Sequence, residues 1–123
     1  MKYYIVIPSY NEEALIGLTL QSLISQTVLP SKIVVVNDNS TDRTAEVVLE
    51  FAKNNPYISL VNKSSENIHL PGSKVIQAFE KGFETLDDNY DLIVKIDADL
   101  IFPSNYFETI IKHFQSDERI GMV

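Results

Sequence analysis

The sequence predicts an α/β Rossmann-like three-layer sandwich with a mostly parallel sheet. Short β-rich apolar runs alternate with stretches of helical period, and most of the helix-like stretches open on a capping or proline signal. That alternation implies parallel strands joined by right-handed crossovers, with helices on both faces.

Lys2 to Ile7 reads as the first strand, ended by Pro8, and Leu15, Leu18, Ser22 and Leu23 with Ile24 give the first helical period. Ile33 to Val36 is the second strand, ended by the polar string Asn37-Asp38-Asn39-Ser40. Ser40 or Thr41 caps a second helix carrying Ala45, Val48, Leu49 and Ala52. Tyr57 to Val61 is a third strand opened by Asn-Pro, and Pro71-Gly72 open a helix carrying Val75, Ala78, Phe79 and Phe83. Leu92 to Ile96 is the fourth strand and runs into Asp97-Ala98-Asp99. After Pro103-Ser104 a last helix carries Phe107, Ile110, Ile111 and Phe114, and Arg119 to Val123 read as the start of another strand.

The 123 residues, 45% of them apolar, are expected to form one domain over 1–123 with a core large enough to need no staple. With no Cys, thiol chemistry and Cys-ligated metals are excluded, and a reducing compartment fits. Ten basic against 17 acidic residues leave a charge of −7, which repels nucleic acid and anionic membranes; no nucleic-acid partner is expected. The apolar runs are too short to span a bilayer, so no membrane segment is expected in this chain. A cytoplasmic domain follows, or one at the cytoplasmic face of a membrane within a longer protein.

In an open parallel sheet, ligands bind at the carboxyl ends of the strands. Those ends here are Pro8-Ser9-Tyr10-Asn11-Glu12-Glu13, Asn37 to Asp42, and Asp97-Ala98-Asp99. Two acids one residue apart repel by about 1 kcal/mol in water and by more where partly desolvated, which favours a compensating cation. Carboxylate oxygens with open positions suit Mg²⁺ or Mn²⁺. The same Asp-X-Asp also suits a turn that only terminates a strand. The glycines at 17, 72, 82 and 121 permit neither a dinucleotide fingerprint nor a P-loop, and His69 and His113 give a hydrolase triad little material. A phospho-receiver domain fails on placement: it needs acids after the first strand, where Pro8-Ser9-Tyr10 stand, and an Asp on the third, where Asn62-Lys63 stand.

The three strand-end motifs, in order over nearly the whole chain, resemble the family-2 nucleotide-sugar glycosyltransferases of the GT-A fold. That resemblance implies transfer of a sugar, with inversion, from a UDP- or GDP-sugar donor to an acceptor that the sequence does not identify, with Mn²⁺ or Mg²⁺ as cofactor, in glycan or polysaccharide biosynthesis. It also implies that Pro8, Ser9 and Tyr10 line the base pocket, that Glu12 lies near the nucleoside and that Asp38 accepts a base N–H. Asp97 would bind the ribose or help orient the metal, and Asp99 would be the main metal ligand. Lys74, at the start of a helix, is the candidate diphosphate contact, its other reading being a solvated first-turn lysine. The family's general base is expected beyond Val123, so the chain alone is expected to bind donor without efficient transfer. The alternative is a non-catalytic nucleotide-binding or interaction module. An uncovered sheet edge and apolar helix faces make self-association a further expectation.

Overall fold

The computed structural model describes residues 2–63, 86, 87 and 89–116. Its elements are β1 (Tyr3–Ser9), α1 (Ile16–Ile24), β2 (Lys32–Asp38), α2 (Thr44–Asn54), β3 (Ile58–Lys63), β4 (Leu92–Lys95) and α3 (Tyr106–Ser116). The helix expected around Val75 to Phe83, the Lys74 before it and the strand expected from Arg119 all lie outside the described residues.

The four strands form one sheet in the order β3-β2-β1-β4, every pair parallel. Strand order reverses at β1, which lies between β2 and β4, and a crevice opens beyond the carboxyl ends at such a reversal. Both faces of the central strands are buried, which is why they read as unbroken apolar runs. Tyr3, Ile5, Ile7, Ile33 and Val35 share one face with Ile16, Leu20 and Leu23 of α1, Val48 of α2, and Phe107 and Ile111 of α3. Tyr4, Val6, Val34, Val36 and Ile93 form the other, with Leu86 and Tyr90 against it. All three described helices pack on the first face.

The ends of β1 and β2 and the buried face of α1 differ from the sequence reading, and β3 and β4 shift by one or two residues at their ends. β1 continues through Pro8, which pairs in register with Val36 of β2; the ladder to β4 has ended by then, at Val6 opposite Lys95. Pro8 therefore has a strand neighbour on one side only, the condition under which a strand tolerates a missing N–H. β2 runs on through Asn37 and Asp38 because β3 runs beside them, and the Asn37 amide donates to the Asn62 side chain at 3.0 Å. In α1 the buried stripe is Ile16, Thr19, Leu20 and Leu23, whereas Leu15 and Leu18 are exposed. Leucines all round that helix make its period ambiguous, and the i, i+3, i+4, i+7 spacing from Ile16 is the one that meets the sheet.

Beyond α1, the buried Gln26 side chain donates to the carbonyls of Ser22 and Pro103 and accepts the Phe107 N–H at 3.1 Å. The neighbouring Thr27 N–H donates to the Ser104 carbonyl. These bonds fasten the end of α1 to the entry of α3. At the amino end of the sheet, Asp87 accepts Lys32 Nζ at 2.8 Å and the Tyr4 hydroxyl at 2.7 Å, and the Lys32 ammonium lies 5.2 Å from the centre of the Tyr4 ring. No helix among the described residues is long and apolar enough to cross a membrane.

Candidate functional site

The loops that follow β1 and β2 are bonded to each other. Asn11 has φ 51° and Asn39 has φ 56°, both in the left-handed region that asparagine tolerates better than most residues. With its backbone so turned, the Asn11 N–H donates to Ser40 Oγ at 3.0 Å, and its side-chain oxygen accepts the Thr41 N–H at 2.7 Å. The Glu12 N–H donates to Thr44 Oγ1 at 2.9 Å and the Glu13 N–H to Asp42 at 3.1 Å. Asp42 also accepts the N–H and the hydroxyl of Thr44, so one carboxylate ties the turn leading into α1 to the first residue of α2. Desolvation pushes the Asp42 carboxyl upward, but the bonds from Thr44 and Glu13 outweigh it and hold the group below the usual carboxylate range.

Within this frame Ser9 is buried, its hydroxyl donating to the Val36 carbonyl at 3.1 Å, and Pro8 is half-buried beside it. Tyr10 is 58% exposed, so its ring is not core packing. Asp38 closes β2 at 5% exposure, and Asn37 behind it accepts the Ser40 N–H.

The acidic pair stands on the other side of β1. The Ile96 N–H donates to the Val6 carbonyl at 3.1 Å, after which the chain turns through Asp97-Ala98-Asp99 with Ala98 buried and both acids exposed. The Thr19 hydroxyl of α1 donates to the Ala98 carbonyl at 2.9 Å. Lys95 Nζ lies 3.6 Å from Asp97. Burial first, and then the charges of Asp99, Asp42 and Asp97, push the Glu12 carboxyl above its usual range. The β1 loop and the acidic turn therefore share one negative field.

No group of three or more His, Asp or Glu side chains among the described residues is placed to hold a metal by itself. Two exposed carboxylates at a strand end suit a hard divalent cation that completes its shell with phosphate oxygens and water, as Mg²⁺ does. The donor set thus fits a metal that arrives with a diphosphate. A cavity of about 210 Å³ between β4 and α3, lined by residues such as Leu92, Val94, Phe102 and Phe107, is mainly apolar and borders the acidic turn at Lys95, Ile96, Asp97 and Leu100.

Of the residues singled out in the sequence, Pro8, Ser9, Tyr10, Glu12, Asp38, Asp97 and Asp99 all lie at the carboxyl end of the sheet, and Lys74 lies outside the described residues. Sequence reasoning missed Asn11 as the tie between two loops and Thr19 as the anchor of the acidic turn. Thr19 left a signal, a polar residue at an apolar stripe position; Asn11 left only its tolerance of positive φ.

The sequence profile described as glycosyl transferase family 2 matches residues 4–123. The probable glycosyltransferase YdaM of Bacillus subtilis is 32% identical over 124 residues, covering 99% of this chain and 28% of YdaM. Among solved structures, S. aureus TarS 1-349 in complex with UDP-GlcNAc is 23% identical with a TM-score of 0.74, covering 96% of this chain and 32% of that one. The mannosyltransferase PcManGT from Pyrobaculum calidifontis, in complex with GDP-Man and Mn²⁺, is 23% identical with a TM-score of 0.77, covering 98% and 34%. These likenesses give the chain a GT-A fold, and it spans about a third or less of each of these proteins.

Proposed function

The chain belongs to glycosyl transferase family 2, and from that premise we propose that it binds a UDP- or GDP-sugar with a divalent metal and presents the sugar for inverting transfer. One observation carries the reading: the polar ends of β1, β2 and β4, with Glu12, Asp38, Asp97 and Asp99, lie together where strand order reverses. The complexes of TarS with UDP-GlcNAc and of PcManGT with GDP-Man and Mn²⁺ support that ligand class.

On this reading Pro8, Ser9 and the exposed Tyr10 line the base pocket, and Asp38 accepts a base N–H. Glu12 lies beside the nucleoside. Asp97 orients the ribose or the metal, Asp99 is the main metal ligand, and Lys74 contacts the diphosphate. A divalent cation bound there, Mn²⁺ or Mg²⁺, would neutralise charge on the departing nucleoside diphosphate. The base that deprotonates the acceptor is assigned to none of these residues, so donor binding rather than turnover is the property expected of the chain alone.

The deciding experiment is calorimetric titration of UDP and GDP into the chain with Mn²⁺ and again with EDTA. Metal-dependent binding that prefers one base supports the reading and selects the donor class. Absence of binding to both would overturn it.

A further inference from the structure

The stripe by which α1 meets the sheet contains one polar member. Ile16, Leu20 and Leu23 are apolar, and Thr19 between them is equally buried, at 0% exposure. A buried hydroxyl costs free energy unless bonded. In the middle of a helix it commonly bonds the carbonyl one turn back. Thr19 has a single hydroxyl proton and sends it across the fold, to the carbonyl of Ala98, 79 residues further along the chain.

Ala98 is the middle of the Asp97-Ala98-Asp99 turn, and it is buried while both flanking acids are exposed. The Ile96 N–H bond to Val6 fixes the approach to this turn from the β1 side. Thr19 pins its centre from the α1 side. The turn that leads into α1 is in turn held by Thr44 and Asp42 through the N–H groups of Glu12 and Glu13. One helix thereby sets the acidic turn against the loop that carries Tyr10.

We infer that Thr19 is a positioning residue for metal-dependent nucleotide binding, fixing through the Ala98 carbonyl the direction in which Asp97 and Asp99 present their carboxylates. The inference rests on the donor-binding reading above. Thr19 itself touches neither nucleotide nor metal.

The test is calorimetry on the intact chain with UDP and GDP, each in Mn²⁺ and in EDTA, for wild type, Thr19→Val and Thr19→Ser. Valine keeps the shape and removes the donor; serine keeps the donor. The expected result is that Thr19→Val loses about tenfold of the affinity gained from Mn²⁺, the scale of lost second-layer support at a metal site. Its metal-free affinity stays at the wild-type value, and Thr19→Ser restores the metal gain. An unchanged metal gain in Thr19→Val, or a parallel fall of both affinities with melting temperature, would overturn the inference and leave Thr19 a core residue. Should Thr19→Val not fold by circular dichroism, Thr19→Ala serves instead; failure of both to fold also assigns Thr19 to the core alone. Wild-type protein that binds neither nucleotide overturns the donor-binding reading as well, whereas wild-type binding with indifferent variants overturns only the role of Thr19.

Discussion

The side-chain oxygen of Asn11 accepts the Thr41 N–H at 2.7 Å, joining two loops that are 30 residues apart in sequence. The bond exists because Asn11 takes a left-handed backbone, which turns its own N–H toward Ser40 as well. Asn11→Ala should therefore destabilise the chain by about 1–3 kcal/mol, from the lost acceptor together with the cost of a Cβ at positive φ. Asn11→Gly, which keeps the backbone freedom, should cost less. Chemical denaturation of the two variants checks the order, and equal losses would deny the backbone its share.

Asp99 is exposed and closes no core contact, so Asp99→Ala should leave the melting temperature near wild type. Metal-dependent UDP or GDP binding should nonetheless weaken about tenfold or more, the scale of one lost charged contact worth about 1.5–3 kcal/mol. The buried Asp38 gives a contrasting result: Asp38→Ala should narrow the preference between the two bases. Titration of both nucleotides into each variant separates the two roles, and an equal loss for both bases in Asp38→Ala would assign that residue to structure.

At the opposite end of the sheet the Lys32 ammonium first, then the Tyr4 hydroxyl and the Asn89 N–H, hold the Asp87 carboxyl well below the usual carboxylate range. For a carboxyl with a lowered folded-state pKa, the unfolded chain takes up the proton first as pH falls. The stability Asp87 contributes is complete above its ordinary value of 3.8 and is lost as pH drops below it. Denaturation midpoints between pH 2 and pH 5, about the range where carboxylates titrate, should fall more steeply for wild type than for Asp87→Asn. Parallel curves would remove Asp87 from acid unfolding.

Gln26 uses both ends of its amide to hold the entry of α3 against α1. Gln26→Ala leaves the part-buried Pro103 carbonyl without its donor and the buried Phe107 N–H without its acceptor, and should cost about 1–3 kcal/mol, the scale of one stranded buried group. A midpoint within error of wild type would show that water replaces the amide at no cost.

The strands were legible because parallel strands buried on both faces must be apolar without interruption, as Tyr3 to Ile7 and Ile33 to Val36 are. The face of α3 was legible too: Phe107 and Ile111 are buried as their spacing requires, with Ile110 and Phe114 packed against the same core. The face of α1 was not, since Leu15, Leu18, Leu20 and Leu23 satisfy more than one helical phase and only the sheet chooses between them. The strand ends were misplaced for a similar reason. Asn37 and Asp38 look like a loop in isolation, and the neighbouring β3 keeps them in the ladder. The candidate site was legible as three short polar strings, while the bonds that assemble them, Asn11 to Thr41 and Thr19 to Ala98, join residues 30 and 79 positions apart. Contacts at such range leave no periodic trace in a sequence.

Helix α1 is tied to three other segments: its leading turn to Asp42 and Thr44 after β2, its middle to the acidic turn at Ala98, and the residues beyond its end to Pro103 and Ser104. Any fluctuation that detaches α1 must release those segments together. In native-state hydrogen exchange the amides of Glu12, Glu13, Thr27 and Phe107 would then open as one cooperative unit with a single free energy. The crevice would be either assembled or lost as a whole, with no intermediate in which one loop alone has let go.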